Sequence, residues 1–192
     1  GRAFAGQADV SSEADVIRLF DAAEERFGKV THFVNNSGIL FTQSKLVDID
    51  LERFNQVLNS NVVICFLFSR EAVRRFPAGS AIVNVSSLAS QTGSPFEYVD
   101  YAASKGAMDT LTKGLSREVA GSGIRVNAVR PGFIYTDMHA DGGEPGRVDR
   151  LAPQIPMQRG GSAEEVANTI AWLLSDEASY VTGSFIDVAG GR

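Results

Sequence analysis

The sequence predicts an α/β fold, a doubly wound parallel sheet with helices on both faces in three αβα layers. Three observations carry this. Short runs of Val, Ile and Phe alternate with longer stretches of helical periodicity. The runs are continuous rather than alternating, as in strands buried on both faces. Small and polar residues then collect just after the runs, in "DVSS", "NNSG", "SSLAS" and "RPGFIYTD". In a parallel sheet those loops share the carboxyl edge, where open α/β folds bind ligands.

The elements follow in order. "AFAGQ" (3–7) is a candidate strand. Ser11 or Ser12 can cap a helix with Val16, Phe20, Ala23 and Phe27 on one stripe, ending at Gly28. "THFV" (31–34) reads as a buried strand entering the "NNSG" turn. Asp48 or Asp50 opens a long helix that carries Leu51, Phe54, Val57 and Leu58 on one side and runs to about Phe76. "AIVNV" (81–85) is a strand, and a helix follows through Tyr101 to about Ala120, stopped by "GSG". "IRVNAV" (124–129) is the next strand, closed by Pro131 and Gly132. The stretch 136–161 is rich in Gly and Pro, has no periodicity and reads as a long loop. Ser162 and Glu165 form a capping box for a helix to Leu174, and "SFIDV" (184–188) is a last strand.

The chain has 192 residues, the length of one domain with a substantial core. Its net charge of −5 and the lack of any basic run argue against a nucleic-acid surface. The longest apolar run, "VVICFLF" (62–68), is too short to cross a bilayer. Cys65 is the single cysteine, which excludes an intrachain disulfide. His32 and His139 lack partners at metal-ligand spacing, so no metal site is expected. The expected compartment is the cytoplasm.

Chemistry is suggested first by Tyr101 and Lys105, which at i and i+4 share a helix face. A phenol ordinarily titrates near 10, and an adjacent ammonium favours the phenolate. Ser86 and Ser87, in the loop after a strand, could hydrogen-bond a substrate carbonyl that Tyr101 protonates, or could simply form the turn. Asn61, a mediocre helix former within a long helix, could break it locally and offer a polar group to a water, or could face solvent.

Seven motifs in order then resemble those of the short-chain dehydrogenase/reductase family: Asp9-Val10 after a strand, "NNSG" (35–38), "NSNVV" (59–63), "NVSS" (84–87), "YAASK" (101–105), "RPGFIYT" (130–136) and "VTGSFIDVAGG" (181–191). The resemblance runs from about Ala3 to Arg192 and implies a Rossmann-like domain over 1–192, with 137–161 as a substrate-binding loop or lid. It implies an NAD- or NADP-dependent oxidoreductase that interconverts a secondary alcohol and a ketone. By the same resemblance Tyr101 is the general acid/base, Lys105 lowers its pKa and touches the nicotinamide ribose, Ser87 orients the carbonyl and Asn61 holds a relay water. Asp9 and Val10 would meet the adenine, and Asn35, Asn36, Ser37 and Gly38 would line the adenosine side. Pro131, Gly132, Ile134 and Thr136 would border the nicotinamide. The implied partners are a small alcohol or carbonyl substrate and further copies of the chain in a homotetramer, with neither nucleic acid nor membrane.

The sequence departs from the family pattern in three places. The family's Gly-x-x-x-Gly-x-Gly phosphate loop is not found, and roughly one βαβ unit, on the order of 50 residues, is expected to precede Gly1. Ser37 stands where the family usually has alanine. The interval from Ser87 to Tyr101 is one residue longer than usual, an excess that "SPFEYVD" can absorb. A catalytically silent binding or scaffold protein on the same fold is the alternative that the missing phosphate loop leaves open.

Overall fold

The structure, a computed structural model, describes residues 1–192. Four parallel strands form one sheet in chain order: β1 (His32–Asn35), β2 (Ala81–Val85), β3 (Arg125–Pro131) and β4 (Phe185–Val188). Ile82 lies opposite Phe33 and Val126, and Val129 opposite Val85 and Ile186. Successive side chains point to opposite faces, so the continuous apolar runs fill two cores at once. Ile82 and Val126 pack with Val16 and Phe20 of α1 (Glu13–Phe27) and Phe68 and Ala72 of α3 (Ile64–Arg75). Val83 and Val129 face the other way, against Val166 and Leu173 of α8 (Ala163–Leu174). This is the doubly wound, three-layer arrangement that the uninterrupted Val/Ile runs predict.

The helix ends follow their capping chemistry. Ser12 accepts the Asp15 N–H at the start of α1, and Gly28 leaves its end at φ 82°, a left-handed value that costs glycine little. Asp50 accepts the Arg53 N–H to open α2 (Leu51–Leu58). Ser162 and Glu165 complete the expected capping box of α8. Between α2 and α3, residues Asn59–Val63 form one wide π-turn, so the long helix expected from Asp50 to Phe76 is broken once, at Asn61. After the one-turn helix α4 (Ala89–Thr92), α5 (Val99–Val119) carries Tyr101 and Lys105 and ends in a tight turn at Ala120–Ser122.

Two expectations are corrected. Residues 3–7 form no strand. A strand exists only through a neighbour's hydrogen bonds, and β1 pairs with β2 alone. The segment lies along α1 instead: Arg18 Nη2 donates to the Gln7 carbonyl at 3.0 Å, and the Arg26 guanidinium sits 4.1 Å from the centre of the Phe4 ring. The stretch 136–161 is not structureless either. It folds into α6 (Met138–Asp141), α7 (Arg147–Leu151) and a 3-10 turn over Ala152–Gln154. Helices of one turn satisfy the backbone but are too short to show an apolar stripe in the sequence. No helix of the chain is long and apolar enough to cross a membrane.

Candidate active site

The loops after β1, β2 and β3 open onto one cleft, as the parallel topology requires. Its volume is about 900 Å³, and it brings together Asn36, Ser37, Gly38, Ser86, Ser87, Tyr101, Lys105, Pro131, Gly132, Ile134 and Thr136. Met138, His139, Arg147, Arg150 and Leu151 from the 136–161 segment cover one side.

Tyr101 and Lys105 point into this cleft from the first turns of α5, and both are almost fully buried. Lys105 Nζ donates to the Val85 carbonyl at 2.8 Å and lies 5.6 Å from the centre of the Tyr101 ring. Burial dominates the electrostatics of both groups. It pushes the Tyr101 phenol up to about 12, against a smaller lowering by a hydrogen bond from Ser87. It pulls the Lys105 ammonium down to about 8, with the charges of Cys65 and Asp109 opposing. The expected lowering of the phenol by its neighbour is therefore not what this geometry gives. Water stabilises either ion better than the protein interior does, and that loss outweighs the attraction one turn away. At neutral pH the phenol holds its proton and can act as an acid.

The two serines differ in their surroundings. Ser86 is buried, and its hydroxyl donates to the Lys105 carbonyl at 3.4 Å. Ser87 faces Tyr101, and its oxygen accepts the Ala89 N–H at 3.1 Å, so its own proton is free to turn into the cleft. Gly38 stands where a side chain would crowd the site: a Cβ there would lie 3.3 Å from both Lys105 Nζ and Asn61 Oδ1. The space beside the ammonium is thus kept open by the absence of a side chain.

Asn61 is fully buried and belongs to the frame of the site rather than its lining. Its Oδ1 accepts the Ile39 N–H at 2.8 Å, and its Nδ2 donates to the Ile39 carbonyl at 3.0 Å and to Ser104 Oγ at 2.9 Å. The amide therefore has both donors engaged, and only one Oδ1 lone pair is left for anything else. It clamps the turn after β1 to α5. Replacing Asn61 by Ala would remove its bonds to the Ile39 N–H and C=O, worth about 0.5–1.5 kcal/mol each, and the buried one to Ser104. We expect Asn61→Ala to lower the urea midpoint of unfolding clearly, whereas Asn36→Ala, at the cleft surface, leaves it nearly unchanged.

Asn35, Asp9 and Val10 also fall outside the cleft lining. Asn35 is buried, and its Nδ2 donates to Asn84 Oδ1 at 2.8 Å and Ser69 Oγ at 3.1 Å, tying β1 to β2 and α3. Asp9 is exposed, and its Oδ1 accepts the Ser11 N–H and hydroxyl at 3.0 and 2.6 Å, which holds the carboxyl below its usual range. Val10 is half-buried against the core under α1. Conversely, sequence reasoning did not assign Glu97 or Tyr98, which line the cleft, and it favoured a solvated loop charge for Arg147, which is buried there. Tyr98 precedes Tyr101 by three residues, a spacing that could have drawn notice. Glu97 and Arg147 lie too far apart in the chain to announce their pairing.

The comparisons with known proteins fit this geometry. A family model described as enoyl-(acyl carrier protein) reductase matches residues 1–192. The chain belongs to the short-chain dehydrogenase/reductase family. Among curated members, the uncharacterized oxidoreductase YgfF of Escherichia coli (strain K12) is 63% identical over 197 residues, which take in 100% of this chain and 80% of that protein. Glucose 1-dehydrogenase 2 of Bacillus subtilis (strain 168) is 37% identical, across 100% of this chain and 75% of the relative. Among solved structures, a blue fluorescent protein from a metagenomic library in complex with NADPH superposes with a TM-score of 0.86 at 33% identity, covering 96% of this chain and 74% of that one. This family is one of oxidoreductases, and the cleft described above lies where its doubly wound fold predicts.

Proposed function

We propose that the protein is an NAD(P)-dependent oxidoreductase that interconverts a secondary alcohol and a ketone. The observation that carries this is the convergence of the Ser87 and Tyr101 side chains with the Lys105 ammonium in one cleft at the carboxyl edge of a parallel sheet. The cleft suits the reacting end of a dinucleotide: Gly38 keeps room beside Lys105 Nζ, and Pro131, Gly132, Ile134 and Thr136 form the facing wall. A nicotinamide bound there supplies or accepts the hydride. The chain manages the proton.

In the reducing direction Ser87 donates a hydrogen bond to the substrate oxygen and fixes its lone pairs toward Tyr101. As hydride reaches the carbonyl carbon, negative charge grows on that oxygen and Tyr101 Oη transfers its proton there. The phenolate so formed is stabilised by Lys105 until it regains a proton from solvent. Oxidation runs through the same steps in reverse. Asn61 serves by holding Ile39 and α5 in place. Any relay water would use its Oδ1 or the main chain of the π-turn. The segment 137–161 closes the substrate side of this domain. The apolar lining from Leu40, Ile134 and Leu151 and the buried reacting pair suit a small organic alcohol. The likeness to the glucose dehydrogenase supports a polyol or sugar among the first candidates.

The test is turnover itself. NADH and NADPH are titrated against the protein by fluorescence, and their oxidation is followed by absorbance with a panel of ketones and, in reverse, of secondary alcohols and aldoses. Turnover of any panel member supports the assignment. Tight cofactor binding with no turnover across the panel would favour the catalytically silent alternative.

A further inference from the structure

We propose that Arg147 is a positioning residue for the substrate: its guanidinium locks the lid helices to the turn that leads into the Tyr101 helix and so sets the substrate-side wall. This rests on the reaction proposed above. Arg147 is only 5% exposed although it sits in a lid segment. Its Nη1 and Nη2 donate to Glu97 Oε1 and Oε2 at 3.1 and 2.5 Å, a two-pronged pairing that only arginine can make. Nη1 also donates to Glu144 Oε2 at 3.1 Å, and the cation lies 5.2 Å from the centre of the Tyr98 ring and 5.5 Å from that of Phe133. Glu144 in turn accepts from Arg150 Nη2 at 2.9 Å and from Gln43 Nε2 at 2.7 Å. One buried cation thus joins the lid, the 94–98 turn and the segment after Pro131.

A second observation shows why the turn needs holding. Ser94 and Phe96 both have positive φ, 40° and 67°, an unfavourable conformation for residues with side chains. The Phe96 ring is 76% exposed, so no burial compensates it. Such strain persists only where the surroundings over-determine it. The restraints are those on Glu97: its carboxylate is held by Arg147, and its carbonyl accepts the Ser44 N–H at 2.9 Å. Four residues later the chain reaches Tyr101, so the clamp determines how the lid residues Met138, His139 and Leu151 stand relative to the phenol. The guanidinium groups of Arg147 and Arg150 are matched by the carboxylates of Glu97 and Glu144, so these four residues leave no unpaired charge between them.

The test is kinetic and proteolytic, on the full chain. We expect Arg147→Met to raise KM for the carbonyl substrate about tenfold or more with kcat changed much less, and to leave NAD(P)H affinity within twofold. Glu97→Gln, which keeps the shape and removes one charge, should raise KM about threefold to fivefold. The double variant should match Arg147→Met alone, because both remove one link. Arg147→Lys should recover only part of the loss. Independently of any substrate, Glu97→Gln should speed trypsin cleavage after the exposed Arg150 about fivefold. KM within twofold of the parent in both single variants, additive losses in the double, or an unchanged cleavage rate would each overturn the proposal. If Arg147→Met does not fold, Glu97→Gln decides it by KM and cleavage. Tyr101→Phe run alongside separates the two ideas: full turnover there removes the assigned reaction, and the cleavage rate still reports the clamp.

Discussion

Replacing Tyr101 by Phe is expected to lower kcat by about 10³-fold or more while NAD(P)H binds within twofold of its original affinity. The substitution deletes one oxygen from a residue that is almost fully buried, so shape and packing survive. What is lost is the proton donor. General acid–base groups contribute about 10²–10⁴-fold, and the groups that remain are weaker acids or turned elsewhere. Ser87 keeps its hydroxyl proton but is a far weaker acid, and Lys105 Nζ is turned to the Val85 carbonyl. Steady-state kinetics paired with cofactor titration checks this. A variant with more than a tenth of the parent kcat would remove Tyr101 from the proton-transfer role.

Lys105→Met carries the second large effect, and it has opposite signs on activity and stability. Activity should fall about 10²-fold or more, because the phenolate formed in each turnover loses the cation one turn away. Stability should rise in protein free of cofactor. The ammonium is 3% exposed and titrates near 8 rather than 10.5. At pH 7 the folded state therefore carries a buried charge that costs roughly 3 kcal/mol, since each tenfold change in an ionisation constant is worth about 1.4 kcal/mol. The lost bond to the Val85 carbonyl offsets about 1 kcal/mol of that. A net gain of about 2 kcal/mol corresponds to a Tm higher by about 4–8 °C for a chain of this size.

The pH dependence identifies the cause. Between about 8 and 10.5 the unfolded parent keeps the lysine proton that the folded parent has released, so the parent gains stability as pH rises through that window. The advantage of the methionine variant should therefore shrink toward pH 10. Above 10 the raised pKa of Tyr101 acts the other way: the folded state now holds the extra proton, and stability falls toward pH 12. Calorimetry at several pH values reads both limbs. A difference that does not vary between pH 7 and 10 would show that the buried charge is not what separates the two proteins.

Much of the fold was legible because its signals are local. A run of small and β-branched residues bounded by turn formers needs no distant information: "AIVNV" is β2 residue for residue, and the Ser162–Glu165 box marks the start of α8 correctly. The π-turn was half legible, since Asn61 in an apolar helix signals a break but not what its amide then holds. What was illegible depended on partners or burial. "AFAGQ" has the residues of a strand, and only pairing distinguishes a strand from extended chain. The spacing of Tyr101 and Lys105 shows that two groups are adjacent, but not that both are out of water, and burial reverses the expected direction for the phenol. The Glu97–Arg147 pair joins residues 50 positions apart, so nothing in either neighbourhood announced it.

The wide turn at Asn59–Val63 makes this stretch of chain a phase device. Each residue in an ordinary helix advances the azimuth by about 100°, and a π-turn holds one residue beyond that count. Winding the same residues regularly, with none removed, would swing everything before the turn by about that angle relative to everything after. The Asn61 amide, which meets Ile39 from this turn, would then be carried away from it. The winding at this one point therefore governs the aim of the cleft as strictly as residue identity does.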